Sequence, residues 1–372
     1  MTLGVEEEFQ VIDLATGSLV PRADVLVPAA AEHLGNEVTH ELNLCQIETG
    51  TPVCDDLEDL RRNLTSSRAA LAAAGERLGL GVAAAGTHPF SLWEHQVIDR
   101  RTGRFRRMEE RYQIVAREQV ICGCHVHVGF DDRDLAVTTM CRVRKWLPVL
   151  LALTANSPFW QGGDTGYDSY RLQVWQRWPT SGMPPRLGSA VEFDQLVEHL
   201  QAIEAIEDAS FLYWYARPSS RHPTLELRPS DTCLTVDDAV TAAGLIRALA
   251  WTCARETSDA DDTRPEVLDA AMWRAARYGL GDRLLSPRSE ALLPATDVLR
   301  ELVDFVAPGL EAHGDTEQVG EGVARIIRIG NGAARQRAAF RARGDGADVV
   351  DLLLEATAGV SSTERDHMPR VG

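Results

Sequence analysis

The stretch Leu3-Gly4-Val5-Glu6-Glu7-Glu8-Phe9-Gln10-Val11-Ile12-Asp13 alternates as an extended chain does. On a strand, successive side chains face opposite ways. Val5, Phe9 and Val11 then share one face, with Glu7 among them, while Glu6 and Glu8 stand together on the other. Two carboxylates at neighbouring same-face positions repel, and a divalent cation is the economical compensation. The solvated outer face of an edge strand would carry the same pair, so the stretch predicts a strand before it predicts a site.

Working outward, Asn43–Thr49, Val82–Ala85, Gln119–Gly129, Phe211–Arg217 and Thr224–Arg228 read as further strands. Leu57, Leu60, Leu64, Leu71, Ala74 and Leu78 recur at helical spacing and predict a helix over 57–78, capped by Asp55 or Asp56. Helical patterns also cover Val25–Leu34, Leu135–Ala155 with a bend at Pro148, Phe193–Ile206, Val236–Arg255, Pro265–Tyr278, Ala295–Val306 and most of Gly332–Ala358. Strands arrive singly and the last third is helical, which predicts an α+β fold rather than a regular βαβ alternation. One domain is expected over 1–372, with a helical part from about residue 265 and an acidic link between Thr257 and Thr263. Trp160–Pro185 is rich in Gly, Pro, Trp and Tyr. A loop of that length inside a compact chain is usually functional.

Three further segments place chemistry on strand faces. In Cys122-Gly123-Cys124-His125-Val126-His127-Val128-Gly129, two Cys and two His suggest zinc at first sight. The strand period separates them: the thiols share the face of Val126 and Val128, and the imidazoles share the other, flanked by Gly123 and Gly129, which leave room for a ligand or another backbone. In Thr224-Leu225-Glu226-Leu227-Arg228, Glu226 and Arg228 share a face. They form either a plain salt bridge or a metal ligand beside a phosphate-gripping fork. Glu48 in Ile47-Glu48-Thr49 is a surface carboxylate or a fourth contributor. Together the strands imply a sheet with one apolar face and one lined by Glu, His and Arg, suited to metal ions and a phosphate-bearing ligand.

Composition narrows the chemistry. The 372 residues carry a formal charge of −17, which disfavours nucleic acid as a partner. Lys145 is the only lysine, so there is no G-x-x-x-x-G-K-[ST] phosphate loop and phosphate must be met by arginines and metal ions. The odd number of cysteines, seven, and an acidic N-terminus without a leader pattern lead us to expect a reduced cytoplasmic location. The apolar run Trp146–Ala155 is too short to span a membrane.

The set Gly4–Phe9, Ile47-Glu48-Thr49, Gly86-Thr87-His88-Pro89, His125–Gly129, Asn156-Ser157-Pro158, Asp164-Thr165-Gly166-Tyr167 and Thr224–Arg228 resembles the YbdK-like branch of the glutamate–cysteine ligase family, carboxylate–amine ligases often named glutamate–cysteine ligase 2. The motifs stand in family order from Leu3 to about Tyr278. The resemblance implies a glutamine-synthetase-like fold, a curved, mainly antiparallel sheet with helices packed outside. It implies ATP as co-substrate and two or three Mg2+ ions, or Mn2+. Carried over position by position, Glu6, Glu8, Glu48, His125 and Glu226 match the metal ligands and Arg228 the arginine that meets the transferred phosphate. Substrate contacts are expected from Arg171, His127, Arg221 and Tyr167; His127 stands where better-studied relatives have another polar residue. The implied reaction activates a carboxylate, the γ-carboxylate of glutamate in the family, as an acyl phosphate for attack by cysteine or another amine. Acyl phosphates hydrolyse in water, so Trp160–Pro185 is expected to close as a lid. A homodimer is common in such folds.

Two other readings compete. H-x-H also opens dinuclear-metal amidohydrolase sites, but there the motif begins a barrel and a bridging lysine is common. A catalytically silent metal- or nucleotide-binding regulator on the same fold is the second.

Overall fold

The computed structural model describes residues 1–256 and 263–359, so most of the acidic link Thr257–Thr263 lies outside the described residues. Seven strands form the main sheet: β1 (Leu3–Asp13), β2 (Val38–His40), β3 (Gln46–Gly50), β4 (Leu80–Ala83), β5 (Cys124–Gly129), β6 (Ala216–Pro218) and β7 (Thr224–Leu227). Their order is β2-β3-β1-β5-β7-β6, with β4 paired to the second half of β1, and every pairing is antiparallel. This is the expected α+β class. An all-antiparallel sheet is not the parallel barrel that the amidohydrolase reading needs.

The sheet has one dry face. Leu3, Val5, Cys124, Val126, Val128, Leu225 and Leu227 pack into the main core with the helices Arg133–Val143, Leu147–Thr154 and Val236–Arg255. Val236–Arg255 is positioned by a capping box, in which Thr235 and Asp238 satisfy each other's backbone N–H groups. Asp56 caps the helix Leu57–Glu76 by accepting from Asp59 N at 2.7 Å. The predicted bend at Pro148 is a break: a 3-10 turn at Arg144–Trp146 separates two helices, and Pro148 sits in the first turn of the second, where its missing N–H costs nothing.

Glu7, on the dry face of β1, is fully buried. Arg68 grips it, with Nε donating to Oε2 at 3.0 Å, and spends its remaining donors on the carbonyls of Cys233 and Leu234. All seven cysteines are buried and free of disulfides. Among the described residues no helix is long and apolar enough to cross a membrane.

Candidate active site

Antiparallel register carries the polar face of the sheet into one cleft. β1 sets Glu8 opposite Glu48 of β3 and Glu6 opposite His125 of β5. β7 sets Glu226 opposite His127 on one side and opposite Arg217 of β6 on the other. All of these side chains, together with Arg228, line a cavity of about 380 Å3. Three sets of ligand atoms approach within 4.8 Å of one another: Glu6, Glu48 and His125; Glu6, His127 and Glu226; and Glu8, Glu41 and Glu48.

The charges are unevenly matched. Burial would raise the Glu6 carboxyl, but the His125 and His127 rings beside it hold it well below the usual carboxylate range. Burial would raise Glu226 too, and Arg217 and Arg228 overcome it. Arg217 donates from Nε to Glu226 Oε2 at 2.8 Å, and Arg228 reaches Oε1 through Nη1. At the other end, burial and then the charges of Glu6, Glu41 and Glu8 push Glu48 well above its ordinary value, and burial raises Glu8 and Glu41. No salt bridge ties Glu8, Glu41 or Glu48 to an arginine among the described residues. His125 sits between the ends, with Nδ1 3.4 Å from Glu6 Oε2 and Nε2 3.7 Å from Glu8 Oε1. Its Nε2 and that of His127 are buried without hydrogen-bond partners among the described residues.

Crowded carboxylates short of positive charge, beside imidazole nitrogens short of a partner, fit hard divalent cations held by oxygen with some nitrogen. The opposite wall is apolar, with Trp175, Trp178 and Tyr213 in edge and tilted contacts at 4.9–5.3 Å. Arg228 lies over Trp175, 5.3 Å from the ring centre.

Residues 2–351 match the family described as glutamate–cysteine ligase family 2. The chain belongs to that family. Proteins carrying the provisional name glutamate–cysteine ligase 2 are similar throughout. That of Rhodopirellula baltica is 39% identical over 90% of this chain and 92% of its own. One from Mycolicibacterium smegmatis is 43% identical over 99% of this chain and 93% of its own. Among solved structures, the fold resembles the bifunctional glutathione synthetase of Pasteurella multocida, with a TM-score of 0.72 at 16% identity, covering 96% of this chain and 52% of that one. It also resembles the glutamate–cysteine ligase of Francisella tularensis, solved in complex with AMP, with a TM-score of 0.65 at 13% identity over 96% of this chain and 88% of that one.

In this family 2 member the structure brings Glu6, Glu8, Glu48, His125, His127, Glu226, Arg228 and Arg221 to one cavity, with Arg221 on the turn between β6 and β7. Two residues expected to meet substrate are placed elsewhere. Arg171 does not line the cavity. It is buried in the space that Gly123 leaves, where an added Cβ would fall 2.1 Å from its Nη2. The room flanking the histidines is thus filled by the protein itself: Arg171 beside Gly123, Thr2 beside Gly129. Tyr167 packs on Tyr170 and Arg277, and its hydroxyl accepts from Trp273 Nε1 at 3.2 Å, on the helix Pro265–Tyr278.

Nor does Trp160–Pro185 hang free over the cleft. It holds a short hairpin at 159–164 and the helix Tyr170–Trp175, and Arg337 clamps it through Asp164, Asp168 and the Tyr167 carbonyl. It gives the cavity Trp175 and Trp178. Sequence reasoning missed Glu41 and Arg217. Glu41 stands in the turn after β2 with no periodic signal. Arg217 becomes visible only once β6 is paired to β7 in register.

Proposed function

We propose that this protein is an ATP-dependent carboxylate–amine ligase that works through an acyl phosphate, with the γ-carboxylate of glutamate as donor and cysteine or another amine as acceptor. The observation that carries the reading is the meeting of two carboxylate–imidazole trios and one all-carboxylate trio with Arg228 in one cavity. Glu6, Glu8, Glu48, His125 and Glu226, joined by Glu41, would hold two or three Mg2+ or Mn2+ ions. Bound there, such ions supply the positive charge that lets a carboxylate approach a triphosphate.

The chain's own residues do the rest. Glu226 anchors Arg228, so its guanidinium is fixed before substrate arrives and can grip the phosphoryl oxygens by two hydrogen bonds as charge develops. The donor carboxylate oxygen bonds to the terminal phosphorus as the bond to ADP breaks. The amine nitrogen then displaces phosphate at the carbonyl carbon and loses a proton. Arg221, at the cavity rim, is suited to an anionic substrate group. The apolar wall of Trp175, Trp178 and Tyr213 keeps water from one side of the reacting carbon.

ADP release from magnesium, ATP, glutamate and a panel of amines, with mass spectrometry of the product, tests the reading. Release that needs both a carboxylate and an amine, with an amide product, is the expected result. Release indifferent to the amine would overturn it, and none with any pair would overturn it in favour of the silent regulator.

A further inference from the structure

His127 is fixed at one nitrogen and left bare at the other. Its Nδ1 lies 2.8 Å from the Thr224 hydroxyl. Its Nε2 is buried with no hydrogen-bond partner among the described residues, 3.4 Å from Glu6 Oε1. A threonine oxygen that accepts from Nδ1–H leaves a lone pair on Nε2, the tautomer in which imidazole binds metal. Gly4 lies opposite His127 across β1 and puts no side chain beside the ring. Ligand atoms of Glu6, His127 and Glu226 lie within 4.8 Å of one another.

Charge separates this trio from its neighbour. Glu8, Glu41 and Glu48 have no arginine salt bridge among the described residues, so their surplus negative charge suits a hard cation. Glu226 is already held by Arg217 and Arg228. With Glu6 that makes two carboxylates against two guanidiniums, so net charge alone gives a cation little reason to settle there. A carboxylate still has lone pairs for both a guanidinium and a metal. What the trio adds is a nitrogen donor. Mg2+ favours oxygen and gives up water reluctantly, whereas imidazole suits first-row transition ions.

We infer that His127 is a metal ligand rather than a substrate contact, and that the Glu6–His127–Glu226 position selects Mn2+ over Mg2+. This rests on the reading that the cleft holds divalent cations. Thr224 is a positioning residue in it, acting through the ring.

The test uses the metal alone. Mn2+ is titrated into the metal-stripped full chain without nucleotide or substrate, with free Mn2+ followed by electron paramagnetic resonance and Mg2+ as competitor. One bound Mn2+ should resist Mg2+ by at least about tenfold, and pulsed spectra should show nitrogen coupling. His127→Asn should lower the affinity of that Mn2+ roughly 10- to 100-fold, and Thr224→Val should cause a smaller loss of the same kind. Mn2+ and Mg2+ competing equally, or an unchanged preference in His127→Asn or Thr224→Val, would overturn the inference. Two readable variants keep it falsifiable if one fails to fold. With no nucleotide present, a failed ADP-release assay leaves the metal result standing. Mn2+ bound without preference sinks the inference and spares the ligase reading, whereas no cation bound at all sinks the inference and the cation part of that reading.

Discussion

Three consecutive glutamates on β1 meet two opposite fates. Glu7 turns to the dry face, where Arg68 neutralises it within the fold. Glu8 turns to the cleft, where Glu41 and Glu48 crowd it and no arginine among the described residues pairs with it. Burial is similar on both sides, so burial does not tell a structural carboxylate from a functional one. Internal neutralisation does. A charge the fold has already balanced contributes to stability, while one left unbalanced is held ready for something that comes from outside.

The largest expected effect tests the balanced side. Glu7→Gln leaves the Arg68 guanidinium buried without its counter-charge, which should cost about 3–5 kcal/mol in urea unfolding. Replacing both, as Glu7→Leu with Arg68→Met, should recover most of that loss. A Glu7→Gln protein as stable as wild type would erase the contrast between the two faces.

Arg228 tests the boundary, because it is both balanced by Glu226 and exposed to the cleft. Arg228→Lys keeps the charge and loses the planar fork. Under the ligase reading, turnover in ADP release should fall roughly 100- to 1,000-fold. Nucleotide affinity should fall less, since the fork matters most as charge moves. Near-normal turnover would make Arg228 a salt-bridge partner of Glu226 and nothing more.

These assignments were unevenly legible in the sequence. The period-two face of β1 is plain because Val5, Phe9 and Val11 bracket the glutamates. His125, His127, Glu226 and Arg228 follow from the same alternation, and Val236–Arg255 and Pro265–Tyr278 were readable to the residue from their helical patterns. The strand expected at Gln119–Gly129 is shorter, Cys124–Gly129, and Gly123 just before it makes only an isolated bridge to Asp231. The helix Thr316–Ile329 was missed because Gly320 and Gly322 interrupt its pattern. Tyr167 and Arg171 lie outside the cavity because Trp160–Pro185 takes its shape from Arg337 and the helix Pro265–Tyr278, contacts far away in sequence.

His88 represents a third way to bury a titratable group: stay neutral. Its Nδ1 accepts from the backbone N–H groups of Phe90 and Ser91 at 3.3 and 3.0 Å, and its Nε2 lies 3.1 Å from the Gly17 carbonyl. A proton on Nδ1 would face two donors. Burial takes the ring down to about 3, with the Gly17 carbonyl opposing only in part. The neutral ring's contribution is therefore complete above the ordinary value near 6.5 and is lost as pH falls. Between about pH 6 and 4 wild type should lose about 1.4 kcal/mol per pH unit through this group. His88→Asn, which puts an oxygen where Nδ1 accepts, should show a shallower slope in denaturation series across that range. Equal slopes would show that the ring charges in place.

The smallest effect carries the most unusual sign. Glu48 faces Glu6, Glu8 and Glu41, and like charges within 4.8 Å of one another repel by about 0.9 kcal/mol or more even in water. In metal-stripped protein at neutral pH, Glu48→Gln keeps the shape, removes a group that must either hold a repelled charge or take up a proton to fold, and should raise stability by about 1 kcal/mol or more. Most substitutions of a buried polar group do the reverse. Added Mg2+ should then stabilise wild type, because an ion that binds only the folded state raises its stability by mass action. It should stabilise the Gln variant less, so the two melting curves should converge or cross as magnesium rises. A Glu48→Gln protein that melts below wild type without metal would mean that Glu48 is balanced in the fold, as Glu7 is. The distinction between the two faces of β1 would then rest on something other than charge.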